Sequence, residues 1–148
     1  MADLYELQLA LDLPDSLPDD DLRLLRWHLD EQGDATADAA GHAASYPLLS
    51  SRGPASRVGG TLVGALCRRP EGWALTARQE LHPDEFDDFE QFLKWLVART
   101  TTIGTIGYLR FYESHVPDIL VSDAEGVSRK TLRATPAAEQ HLLPNGCD

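Results

Sequence analysis

The segment from Leu4 to Leu13 alternates between large apolar side chains and small or polar ones, and this alternation restricts the fold more than any other feature. The apolar set is Tyr5, Leu7, Leu9, Leu11 and Leu13. Because successive side chains of a β-strand point to opposite faces, the pattern predicts a strand with one buried face. A sheet containing such a strand needs a layer of helices or a second sheet over that face.

The rest of the chain is divided by apolar spacing and by turn residues. One helix is predicted between Ser16 and Gly33, and a second begins at His82 and carries a phenylalanine stripe through Phe86, Phe89 and Phe92. Further strands are predicted over residues 61–69, 73–81, 105–113, 119–122 and 127–132. This order predicts an α+β fold with a mostly antiparallel sheet and both amphipathic helices on one face. It matches the ferredoxin-like order β-α-β-β-α-β, followed by a C-terminal hairpin.

The length of 148 residues suits one domain. Residues 1–133 are predicted to form it, with a flexible insert at 34–60, where small and polar residues dominate without periodicity. Residues 134–148 are predicted to form a C-terminal tail.

The charge balance bounds the kind of partner. Thirteen Lys and Arg residues stand against 24 Asp and Glu residues, which gives a formal net charge of −11. Nucleic-acid binding depends on cationic side chains that replace counterions along the phosphates, so no nucleic-acid partner is expected. The charge favours a protein partner with a basic surface, and a homodimer is left open.

The same survey predicts a cytoplasmic protein with no membrane contact. No apolar run approaches the roughly 20 residues that span a bilayer, and the start of the chain lacks the basic and apolar regions of a secretory leader. The two cysteines, Cys67 and Cys147, do not form a metal-binding or disulfide pattern.

Alternation also predicts which side chains lie on the face of the sheet away from the helices. Glu6 and Gln8 are placed there on the first strand. The predicted binding residues are Arg78, Glu80, Tyr108, Arg110 and Tyr112 on this open face, together with His115 in the following turn. Tyr and Arg are enriched among the residues that dominate binding energies. The same set also fits a solvated sheet face held by Arg–Glu pairs between strands.

No catalytic, metal-binding or cofactor-binding motif is found. Glu113 and His115 lie two residues apart at a strand end, but a third ligand or a catalytic partner is missing, and a histidine in a turn is the simpler interpretation. Gly104-Thr105-Ile106-Gly107 lacks the spacing of a dinucleotide-binding loop, and Gly107 is interpreted as a bulge or a close approach. No cofactor and no metal are predicted.

The second half of the chain carries a recognisable layout. An acidic helix ending Phe92-Leu93-Lys94-Trp95-Leu96 is followed by the strand Ile106-Gly107-Tyr108-Leu109-Arg110-Phe111-Tyr112-Glu113. Residues 73–132 thereby resemble small immunity proteins of bacterial polymorphic-toxin systems. The resemblance implies a partner protein that is neutralised by binding, and it transfers no functional residue.

Two hypotheses follow. The first is an acidic cytoplasmic protein-binding module, of the kind that neutralises a basic toxin domain. The alternative is a cofactor-free enzyme or small-molecule binder of dimeric ferredoxin-like type, with Trp73, Tyr108, Arg110, Tyr112 and His115 lining a cavity.

Overall fold

A computed structural model describes residues 3–31 and 46–133 and arranges their strands in one antiparallel sheet. The strands are β1 (Tyr5–Pro14), β2 (Gly53–Pro54), β3 (Thr61–Arg69), β4 (Gly72–Leu81), β5 (Gly104–Phe111), β6 (Asp118–Asp123) and β7 (Gly126–Thr131). Their order across the sheet is β2-β3-β4-β1-β5-β6-β7. The alternating segment β1 therefore lies in the interior of the sheet and pairs with β4 on one side and β5 on the other.

Two helices complete the fold: α1 (Asp19–His28) and α2 (Phe86–Val97), the latter entered through a 3-10 turn at Pro83–Glu85. The prediction that α1 starts at Ser16 and runs to Gly33 is wrong. Pro18 occupies the N-cap position with an extended backbone, and the helix ends at His28. His82 caps the second helical segment, because its Nδ1 accepts a hydrogen bond from the amide of Asp84.

The core lies between the sheet and both helices. Leu7, Leu9, Leu11 and Leu13 contribute one face of β1, as the alternation predicts, and they are all buried. Buried residues of α1 and α2 belong to the same apolar cluster, so both helices cover this face. The helices are also joined directly, since Arg99 after α2 donates to the Asp21 carboxylate of α1 at 2.8 Å. The α+β class and the antiparallel sheet are thus confirmed.

Gly107 fits its sequence interpretation. The register of β5 against β6 shifts between Thr105 and Gly107, which marks a bulge. A Cβ atom at Gly107 would lie 1.9 Å from the carbonyl oxygen of Gln8, so only glycine permits the close approach of β5 to β1.

The predicted insert at 34–60 falls partly within the described residues. Residues 34–45 and the predicted tail at 134–148 lie outside them. Residues 46–60 make specific contacts: Leu48 and Leu49 are buried in the core, and β2 pairs with the edge of β3. The flexibility of the insert stays a prediction, to be tested against these contacts.

Candidate functional site

The centre of the open sheet face is occupied by the carboxylate of Glu6. The residue is only 3% exposed, although alternation placed it on the solvent side. Its Oε2 accepts a hydrogen bond from Arg78 Nε at 2.6 Å, and its Oε1 accepts one from Arg110 Nε at 2.9 Å. A second nitrogen of Arg78, Nη2, also contacts Oε2. One buried carboxylate is therefore held between two guanidinium groups.

Strand register explains why these three residues meet. Glu6 on β1 lies directly opposite Arg110 on β5. On the other side it lies opposite Glu80 of β4, and Arg78 is its diagonal neighbour. Diagonal neighbours on one face are within reach of long side chains. A charge-paired triad across three adjacent strands follows.

A short segment covers this triad. Residues 55–60, here called the strap, reach Glu80 on β4 and Tyr112 just after the end of β5, the strands on either side of Glu6. Arg78 Nη1 donates to the carbonyl of Gly59 at 2.6 Å, and Arg78 Nη2 donates to the carbonyl of Val58 at 3.2 Å. Glu6 is buried because the strap lies over a position that the sheet alone would leave open.

Glu80 holds the other end of the strap. Its carboxylate accepts hydrogen bonds from Ser56 Oγ at 2.7 Å, from Arg57 N at 2.8 Å and from Val58 N at 3.2 Å. Burial has the largest single influence on Glu80 and by itself would raise the pKa of the carboxyl. The hydrogen bonds from the strap together outweigh burial, so the pKa of Glu80 is lowered.

The phenol of Tyr108 borders the same cluster. Burial raises the pKa of Tyr108, and the neighbouring Glu6 charge and the hydrogen bond to Glu6 raise it further, while Arg78 acts in the opposite direction. The raised pKa favours the neutral phenol of Tyr108 beside the carboxylate of Glu6.

The remaining predicted residues lie at the border of the cluster or outside it. The Tyr112 hydroxyl donates to Glu113 at 3.0 Å, and the Arg57 guanidinium lies 5.6 Å from the centre of the Tyr112 ring. His115 is exposed in the turn after β5. Of the six predicted residues, the structure brings Arg78, Tyr108 and Arg110 together around Glu6, ties Glu80 to the strap, and leaves His115 apart.

The arrangement has a direct consequence for recognition. Arg110 also donates to the carbonyls of Tyr112 and Ser114, so both central guanidiniums are occupied by partners within the chain. Their first role is to hold β4, β1, β5 and the strap together. A ligand would have to displace these bonds to use either Arg as an anchor.

The exposed carboxylates at the starts of the two helices form a second candidate surface. Asp19 and Asp20 are exposed in the first turn of α1. Asp84 and Asp87 are exposed around the start of α2. Carboxylates are favoured here by the helix dipole, which by itself accounts for their positions.

The alternative hypothesis requires a cavity lined by the predicted aromatic and basic residues. A cavity of about 360 Å³ is present, but it lies on the helix side, between α2 and strands β5 to β7. None of Trp73, Tyr108, Arg110, Tyr112 and His115 lines it. This cavity is therefore not the predicted one, since Tyr108 and Arg110 of β5 lie on the other face of the sheet with Glu6.

The part of the chain that the structure describes, residues 3–31 and 46–133, contains no group of three or more His, Cys, Asp and Glu side chains placed to hold a metal ion. None of its helices combines the length and apolar character needed to cross a bilayer.

Comparisons with protein-family models, with curated proteins and with solved structures return no match. The resemblance of residues 73–132 to immunity proteins therefore rests on the quoted motifs alone.

Proposed function

We propose that the chain is an acidic protein-binding module whose partner is a protein with a basic surface, as in an immunity protein that neutralises a toxin domain. The observation that carries the proposal is the net charge of −11. A field of this sign attracts basic surfaces and accelerates their association.

The ion pairs of the described residues strengthen this argument. Many of the cations already have a carboxylate partner within the chain: Arg23, Arg68, Arg69, Arg78, Lys94, Arg99, Arg110 and Arg129. Carboxylates exceed cations by 11 in the whole chain, so an excess of negative charge remains after such pairing. The negative charge is thereby left for a partner to neutralise.

The geometry favours the helix surface over the open sheet face as the place where a basic partner docks. Arg78 and Arg110 are committed to Glu6 and to main-chain carbonyls, whereas Asp84 and Asp87 are exposed. We propose that the exposed carboxylates at the helix starts guide the partner, and that the Glu6 triad keeps the sheet and strap in shape.

Coexpression with the product of the adjacent gene tests the proposal. We expect a complex that survives purification at low salt and weakens as salt is added. The variant Asp84→Lys/Asp87→Lys should slow association several-fold, because charges at the rim of an interface act mainly on the association rate.

The matched control is Glu113→Lys/Glu125→Lys, which changes the charge equally at two exposed positions away from α2. It should slow association less than the α2 variant does. An equal or larger effect of the control would reject the helix surface as the docking site, and the lack of any complex at low salt would reject the protein-binding proposal.

Two finer assignments belong to the same proposal. Four strands lie in the order β3-β4-β1-β5 across the sheet. Along the chain, α1 follows β1 and α2 follows β4, and this arrangement supports assignment to the ferredoxin-like plan. The free, exposed thiol of Cys67 suits a reducing compartment and supports a cytoplasmic location.

A further inference from the structure

The cavity on the helix side is distinct from both surfaces discussed above. Its volume of about 360 Å³ falls within the range of small-molecule sites, near the lower end. Its walls are mainly apolar: Phe89 and Leu93 of α2 face Leu109, Leu120 and Val127 of the sheet.

The cavity lies between α2 and one edge of the sheet, where α2 also approaches β7. The sheet has seven strands, and its order places β6 and β7 at one edge, beyond β5. The apolar side chains Leu120 and Val127 of these edge strands face α2 across a gap.

The sequence of α2 shows how the helix serves both the core and the cavity. Phe92 and Leu96 are fully buried in the core. Phe86, Phe89 and Leu93, spaced by three and four residues, line the cavity and form the neighbouring stripe of the helix. The apolar surface of α2 is therefore wider than packing on the central strands requires.

The charged side chains that line the cavity are Glu90, Lys94 and Arg129, and Arg129 is paired with Asp118 beside it. All three lining side chains are exposed, and they mark the mouth of the cavity. Two cations therefore lie at the mouth of a mainly apolar cavity, each with one carboxylate partner. Cations in this position suit a ligand with a negative charge at one end.

Arg129 is suited to bind such a charge. Its Nε donates to the Asp118 carboxylate at 2.6 Å. Within the described part of the chain, its two terminal nitrogens, Nη1 and Nη2, donate no hydrogen bond. A guanidinium can donate from both of these nitrogens to one carboxylate. Among residues 3–31 and 46–133, Lys94 pairs with Glu90 at 3.1 Å, and both side chains are more than 60% exposed. Exposed pairs of this kind rearrange at little cost.

We propose that this cavity binds a small amphipathic carboxylate, with its apolar portion between α2 and strands β5 to β7 and its carboxylate at Arg129 and Lys94. At roughly 30 Å³ of liquid volume for each water molecule, the cavity holds about a dozen non-hydrogen atoms. A medium-chain aliphatic acid or an aryl-alkyl acid has this size. The site is independent of the protein partner proposed above, since it uses neither Asp84 nor Asp87.

Calorimetric titration of the full chain with decanoate, 1-decanol and decylamine tests the proposal, because these probes share a chain and differ in the head group. We expect saturable binding of one molecule, with decanoate the tightest and decylamine at least about tenfold weaker. Methyl resonances of Leu93, Leu109, Leu120 and Val127 should shift on addition of decanoate, and that of Val63 on the open face should not.

Variants separate the two halves of the site. Val127→Phe, at the edge of the sheet, should fill the cavity and abolish binding of all three probes. Lys94→Gln/Arg129→Gln should weaken decanoate about five- to tenfold and leave decanol unchanged. Arg23→Gln/Arg68→Gln, which removes two exposed cations that do not line the cavity, is the matched control and should change neither.

Three results would overturn the proposal. The first is the absence of saturable binding of decanoate to the unmodified chain. The second is decylamine binding as tightly as decanoate. The third is resonance shifts that map outside the cavity, a measurement that needs no variant to fold.

Discussion

Glu6 and Arg110 face each other across the β1–β5 pair, and Arg110 Nε donates to Glu6 Oε1 at 2.9 Å on a face that the helices do not cover. The side chain of Glu6 is 4% exposed, while that of Arg110 is 21% exposed. The pair is thus asymmetric: the carboxylate is enclosed and the guanidinium reaches the surface. Loss of the Glu6 carboxylate would leave the guanidiniums of Arg78 and Arg110 without their shared negative charge.

Glu6→Gln should therefore destabilise the fold markedly. The substitution keeps the size of the side chain but leaves Arg78 and Arg110 facing a neutral amide. Removing one partner of a buried pair costs about 3 kcal/mol or more in the free energy of unfolding. Chemical denaturation measures this loss, and Glu113→Gln, at an exposed position, should change stability by less than about 0.5 kcal/mol. Equal effects of the two substitutions would show that the triad contributes nothing specific.

Glu80 should make the strap sensitive to acid. Its pKa is below the usual 4.5 in the folded protein. The ionised Glu80 carboxylate therefore stabilises the folded state above the pKa that Glu80 has in the unfolded chain. This stabilisation is lost as the pH falls through the lower pKa of Glu80 in the folded protein. Hydrogen exchange at the amides of Arg57 and Val58 should accelerate in this range, relative to amides of the central strands.

The variant Glu80→Gln should reproduce this loosening at neutral pH. We expect faster exchange at the same two amides and faster cleavage by trypsin after Arg57, because the amide group accepts hydrogen bonds more weakly than a carboxylate. Glu71→Gln, in the exposed β3–β4 turn, is the control. If Glu80→Gln left the cleavage rate unchanged, the strap would not depend on this carboxylate.

The sequence predicts the strands better than it predicts the strap, for a physical reason. Alternation along β1 reports burial of its leucines, and these residues are the core of the structure. The strap is held by main-chain groups, such as the carbonyl of Gly59 and the amide of Val58. Every residue carries such groups, so no side-chain pattern announces their contacts.

The burial of Glu6 was missed for the same reason. Alternation predicts that Glu6 lies on the open face. Its pairing with Arg78 depends on the register of β1 on β4, and the position of the strap over Arg78 depends on main-chain hydrogen bonds, neither of which a side-chain pattern reveals. The cavity was missed because it depends on how closely α2 packs on strands β5 to β7. That distance is a property of the assembled layers and not of a local pattern.

Tyr46 should ionise late in an alkaline titration. The pKa of its phenol is raised from 10.0 to about 12, first by desolvation although the residue is 37% exposed, and then by the charge of Glu85, a hydrogen bond to Glu85 and the charge of Asp88. The neutral phenol therefore favours the folded state below about pH 10, and this contribution is lost as the pH rises through about 12.

Absorbance of phenolate against pH checks this expectation. Tyr46→Phe should remove a phenol that ionises near pH 12. Glu85→Gln should lower the pKa of Tyr46, since it removes a charge beside the phenol. A titration curve for Tyr46→Phe that lost only a phenol ionising at the ordinary value of 10.0 would contradict the assigned contact with Glu85.

Phe89 and Leu109 should differ in what they contribute to stability, although both lie on the helix side of the sheet. Both side chains line the cavity, but Phe89 is 4% exposed and belongs to the core cluster, whereas Leu109 is only partly buried. Phe89→Ala should cost about 3–5 kcal/mol in the free energy of unfolding, as for a large aromatic removed from a packed core. Leu109→Ala should cost less than the roughly 2–5 kcal/mol typical of a fully buried leucine, because its removal enlarges a space that already exists.

Denaturation of both variants, with and without saturating decanoate, gives the comparison. Decanoate should stabilise the unmodified protein by ligand linkage and both variants less, because each variant lacks part of the wall that contacts the ligand. A larger loss for Leu109→Ala than for Phe89→Ala would mean that the cavity side of the sheet is closed in solution.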